Sequence, residues 1–99
     1  MKTNKLTGAA LDWAVGMAIG EYKPVPVPNY STDWAQGGPI IEREEISVNW
    51  ASGQWEAHTV TDDDNFDQIE YAPTPLIAAM RCYVASKLGD EIELPEVTA

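Results

Sequence analysis

Basic residues are scarce in this sequence. Six Lys and Arg stand against 16 Asp and Glu in 99 residues, a formal net charge of −10. A protein that grips a nucleic-acid backbone displaces counterions with Lys and Arg, and a polybasic membrane-surface protein needs the same side chains, so neither class fits. There is one cysteine and one histidine. An internal disulfide is therefore excluded, as is a His/Cys zinc site, and the cysteine usage fits a reducing compartment. No apolar run reaches the roughly 18 residues of a spanning helix. The opening MKTNKLTG leads into a stretch containing Gly and Asp rather than a secretory apolar region. The expectation is a soluble globular chain of one domain, residues 1–99.

What charge there is lies unevenly. Residues 1–39 are neutral, 40–73 carry −8, 74–89 carry +2 and the tail 90–99 carries −4. The acids read first as solvated faces and loops. The second reading is that the acidic 42–70 section and the tail engage a basic partner protein by mimicking the charge of DNA, with binding expected to be lost on neutralising Asp62, Asp63 and Asp64.

Residues 7–20 predict a helix. Thr7 serves as N-cap, Leu6 and Leu11 stand at staple positions, and Gly20 can end it. Asp12 is its only charge, and a helix apolar nearly all round is buried on more than one side. Residues 23–28, Lys23-Pro24-Val25-Pro26-Val27-Pro28, must be extended and read as a strap over the fold rather than a recognition peptide. Residues 29–39 read as a polar loop. Residues 40–60 read as strands, with Ile46, Val48 and Trp50 alternating before a Ser52-Gly53 turn and Trp55, Ala57 and Thr59 after it. A two-residue turn there sets Trp50 opposite Trp55 and Val48 opposite Ala57; Ser52 is not an ideal type I′ residue, and the alternative is a longer loop with a bulge. Residues 61–73 read as an acidic loop. Residues 75–88 predict a second helix, with Thr74 as cap, Pro75 at its first position and Gly89 beyond its end. Residues 90–99 form an acidic tail. The predicted class is α+β: two apolar helices packed with a short antiparallel sheet.

The second helix has two unlike sides. Leu76, Ile77, Met80, Tyr83, Val84 and Leu88 share one arc, and Ala78, Ala79, Cys82, Ala85 and Ser86 the other. A solvent-facing arc normally carries Glu, Lys or Gln. A small, uncharged arc implies cover on both sides. Either the first helix and the strands supply it, or a second copy of the chain does. A chain this short buries only about 60–68% of its unfolded surface, which favours a homo-oligomer.

Catalytic chemistry finds little support. His58 lies in a predicted strand, and Cys82 reads as a packed thiol with Arg81 pointing about 100° away. The Asp62–Asp67 run lacks the glycine and terminal glutamate of a calcium loop. No enzyme, metal or cofactor is expected. The densest set of hydrogen-bonding groups beside an aromatic is Ser31, Thr32, Trp34, Gln36, Gly37 and Gly38, with Arg43 following and Arg81 a candidate to complete it. Such a set suits a polar planar ligand or a partner peptide. The competing reading is a self-satisfied turn with Trp34 plugging the core. In the ligand reading a nucleotide-like molecule stacks on Trp34, meets the Gly37 and Gly38 amides and places its phosphates on Arg43.

Three blocks carry a resemblance. Leu6 to Val15 (LTGAALDWAV), Tyr30 to Glu44 (YSTDWAQGGPIIERE) and Thr74 to Pro95 (TPLIAAMRCYVASKLGDEIELP) are similar in wording and order to the NinX-like family of small lambdoid phage and prophage proteins. The resemblance implies an accessory phage gene product working in a bacterial cytoplasm. It does not imply an enzyme. The reading drawn from the whole is a protein that binds and sequesters a host component, a small nucleotide-like ligand or else a basic host protein, in the service of counter-defence.

Overall fold

A computed structural model of the chain describes residues 2–20, 27–60 and 67–93. Among them are three α-helices and a three-stranded antiparallel sheet: α1 (Gly8–Ile19), α2 (Trp34–Glu44), β1 (Ser47–Ala51), β2 (Gln54–Val60), β3 (Asp67–Ala72) and α3 (Pro75–Leu88), preceded by a short 3-10 turn, Thr3–Lys5. The α+β class stands, but two helices was an undercount.

The additional helix, α2, occupies the end of the expected polar loop and the start of the expected strands. Its sequence, WAQGGPIIERE, contains two glycines and a proline, which disfavour helix locally by about 1 and 3 kcal/mol each. Tertiary contact overrides this. Asp33 caps the first turn, its carboxylate accepting from the Ala35 amide at 2.9 Å. Gly37 and Ile40 are buried within the helix, with Gly37 pressed against Leu76 of α3. The end is closed by Glu45 in the left-handed region (φ 55°), where the Glu45 amide reaches Glu42 and the Ile46 amide reaches Ile41.

The sheet order is β1-β2-β3. The β1–β2 register pairs Trp50 with Trp55 and Val48 with Ala57, as the two-residue turn requires. Ser52 and Gly53 both have positive φ, 52° and 91°, which makes the turn type I′. The two indoles meet edge to face with centroids 5.4 Å apart. β3 falls inside the span expected as an acidic loop. Its pattern is inverted: Ile69 and Tyr71 are on the open face of the sheet, while Glu70 is buried beneath α3. The acids at 61–66 and the tail from 94 onward lie outside the described residues, as does most of the proline strap.

α3 is the hub. Its small arc faces the sheet: the Cys82 thiol donates to the Gln68 carbonyl of β3 at 3.2 Å, and Ala78, Ala79 and Ala85 are buried beside it. Ala57 and Ala72 on the strands are small in turn, so helix and sheet approach closely. The larger arc receives α1 and α2, with Leu76, Met80, Tyr83 and Val84 buried. Both sides of α3 are thus covered within one chain. A second copy is therefore not needed to supply the missing cover, which was the ground for expecting a homo-oligomer.

Candidate functional site

Asp12 begins the site. This single charge of α1 is 6% exposed, and its Oδ1 accepts the Ser31 amide at 2.8 Å. It thereby ties the 29–32 turn to α1. That turn is tightened by the Thr32 and Asp33 amides, which both donate to the Asn29 carbonyl. Sequence reasoning missed Asp12 as a positioning residue, although a lone carboxylate in an otherwise apolar helix is the signal for it.

The turn delivers Ser31 and Thr32 to a pocket of about 230 Å³ between the first turns of α2 and α3, lined by Ser31, Thr32, Trp34, Thr74, Pro75, Leu76 and Ile77. Thr74 is the N-cap of α3, its hydroxyl oxygen accepting the Ile77 amide at 3.1 Å. Its own proton remains available to a ligand. Ser31 is 1% exposed, and its Oγ has no hydrogen-bond partner. An unpaired buried hydroxyl is costly and calls for an explanation. Trp34, in contrast, is 55% exposed. It does not plug the core but walls the pocket, its indole leaning back over Gly38.

The structure divides the residues singled out from sequence. It brings Ser31, Thr32 and Trp34 together. The Gly37 amide is not offered to a ligand: it donates to the Asp33 carbonyl at 2.9 Å, and the residue is buried. Gly38 lies inside α2, and Gln36 is exposed. Arg43 is nine residues beyond Trp34, which places it about 13 Å along the helix and half a turn around it. There its Nε donates to Glu44 at 3.1 Å and its guanidinium lies 3.5 Å from the Tyr83 hydroxyl. The Glu44 carboxylate, held below its ordinary range by Arg43 and Lys87 despite partial burial, raises the Arg43 pKa through that hydrogen bond.

Arg81 serves the fold. Its guanidinium donates to the Leu6 carbonyl at 2.7 Å and to the Tyr71 carbonyl at 2.8 Å, joining three segments of chain. Burial lowers its pKa, partly offset by Glu70. One ligand therefore cannot stack on Trp34 and rest on both arginines.

Elsewhere the chemistry is subdued. Burial pushes the Cys82 thiol up to about 12, so at neutral pH it is protonated. His58 sits on β2 opposite Ile69, on the sheet face away from α3. A second hollow of about 270 Å³, lined by Lys2, Thr3, Asn4, Gln68, Ile69, Glu70 and Asp90, lies where the N-terminal turn meets β3. Among the described residues, no group of three or more His, Cys, Asp or Glu is placed to hold a metal ion, and no helix is long and apolar enough to cross a membrane.

A search of curated proteins finds no match. The profile of the family described as Bacteriophage P22, NinX matches residues 23–87, about two thirds of the chain. The match takes in the Tyr30–Glu44 block, most of the helical block from Thr74, and every residue lining the pocket beside Trp34, while the Leu6–Val15 block lies outside it. The chain belongs to the NinX family of phage proteins.

Proposed function

We propose that this protein is a non-catalytic phage accessory protein that binds and sequesters a small nucleotide-like host molecule in the pocket between the first turns of α2 and α3, as a counter-defence device in the bacterial cytoplasm. The observation that carries this reading is the pairing of Ser31 and Trp34. Ser31, whose buried hydroxyl has no partner, and Trp34, whose indole is half exposed, both belong to the lining of this hollow. A planar ligand answers both at once: its ring covers the indole, and its polar edge satisfies the hydroxyl. The pocket volume lies just under the roughly 300–1,000 Å³ of drug-sized sites. It suits one ring system and no larger assembly.

The placing of the reactive groups supports binding over turnover. Cys82 is buried against the sheet with its thiol protonated, and His58 lies on another face of the molecule. Native mass spectrometry of the protein drawn from infected cells tests the reading. A retained small molecule, lost on Trp34→Ala, is expected. A bare chain, together with no thermal shift across a panel of nucleosides and nucleotides, contradicts it.

A further inference from the structure

We infer that this pocket recognises an uncharged planar heterocycle, a nucleobase or nucleoside, through hydroxyls and an aromatic wall, and leaves any phosphate of the ligand in solvent. The inference rests on the binding reading above and narrows its ligand class.

Three observations carry it. First, among the described residues no basic side chain lines the pocket. Arg43 lies about two and a half helical turns beyond Trp34, on the opposite side of α2, and is held by Glu44, and Arg81 is committed to two backbone carbonyls at 2.7 and 2.8 Å. Second, Asp33 stands between the lining residues Thr32 and Trp34, and its carboxylate already occupies the positive end of α2. A phosphate brought to that helix end meets a like charge within one residue, in a chain of net charge −10.

Third, the groups left to satisfy are neutral ones. Ser31 Oγ is buried and unpartnered, and a hydroxyl both donates and accepts. The edge of a nucleobase carries donors and acceptors side by side, whereas a phosphate only accepts. Pro75, Leu76 and Ile77 supply apolar lining in the same hollow as Trp34. Sandwiching a ring between apolar and aromatic surfaces is how flipped or single-stranded bases are held.

Isothermal titration of the full chain with adenosine, guanosine, cytidine and uridine, each alongside its 5′-mono- and triphosphate, at low and high salt, tests this. The expected result is that one nucleoside binds at least as tightly as its own triphosphate, with an affinity that salt leaves unchanged. Trp34→Ala weakens that binding about fivefold to 150-fold, the range given by loss of one stacking ring. Ser31→Ala weakens it about twofold to tenfold while the melting temperature of the unliganded protein does not fall, an outcome that a merely structural serine would not give. A triphosphate that binds while its nucleoside does not, with affinity collapsing in salt, overturns the neutral-ring inference and leaves the binding reading standing. Nucleoside binding that both variants leave intact places the site elsewhere and overturns the inference. No binding by any of the twelve compounds overturns both readings.

Discussion

Two adjacent glycines of α2 have different tasks. A methyl group on Gly37 runs into the Tyr30 carbonyl oxygen and comes within 2.8 Å of Leu76 Cδ1. Backbone cannot yield as a flexible side chain does, so Gly37→Ala costs on the order of 1–3 kcal/mol by overpacking. At Gly38 the nearest atom is Trp34 Cε3 at 3.8 Å, an ordinary contact. Gly38→Ala then gains helix propensity and stabilises by up to about 1 kcal/mol. Urea denaturation of the two variants should shift the midpoint in opposite directions; equal shifts would show that α2 does not pack as described. Glu70 is the other telling residue. It is 8% exposed, and burial raises its pKa against the pull of Gln68 and Arg81. A raised folded-state value means that its favourable contribution is complete below the ordinary value of 4.5 and is lost as pH rises through the raised one. Glu70→Gln is therefore more stable than the parent at pH 7, and the difference shrinks toward pH 4.5. A gain that grows on acidification would contradict the assignment.

The elements show why some of this fold could be read in the sequence and some could not. α3 announced itself through Thr74, Pro75 and Gly89, because capping chemistry is local. The Trp50–Trp55 hairpin did so because a two-residue turn fixes the register of every later pair. α2 did not, since Gly37, Gly38 and Pro39 each argue against a helix and only the fit of Gly37 against Leu76 tips the balance back. β3 did not, since its apolar residues face outward and its acid inward. The candidate site inherited the error. Read as a loop running into a strand, residues 31–43 formed a continuous patch; wound into a helix from Trp34 onward, they send Trp34 and Arg43 to opposite sides. Ser31, Thr32 and Trp34 stay together because they precede or open the helix. The Asp33 cap holds that opening turn in place, so Asp33→Ala should cost about 1 kcal/mol of stability. It should also blur the pocket, visible as faster amide exchange from Ala35 through Gly37. Unchanged exchange there would mean that the cap does not order the site.

At the scale of the molecule, one helix organises everything. α3 lies on the sheet through small residues and carries α1 and α2 on its larger arc, so one chain encloses its own hub. The N-terminal turn and the segment after α3 are joined as well, by Thr3 bonding to Gly89 and Asp90. This arrangement brings the first turns of α2 and α3 together, with Asp12 of α1 holding the turn that carries Ser31 between them. The proposed function requires that hollow to be where a small planar molecule goes. The four tryptophans give a direct readout, because each indole N–H is a separate signal in a nitrogen–proton correlation spectrum. On titration with the nucleoside that binds, the Trp34 indole and the amides of Thr32, Leu76 and Ile77 should move together, while the indoles of Trp13, Trp50 and Trp55 stay still. Movement centred on the Trp50–Trp55 pair, with Trp34 unmoved, would contradict a site between α2 and α3.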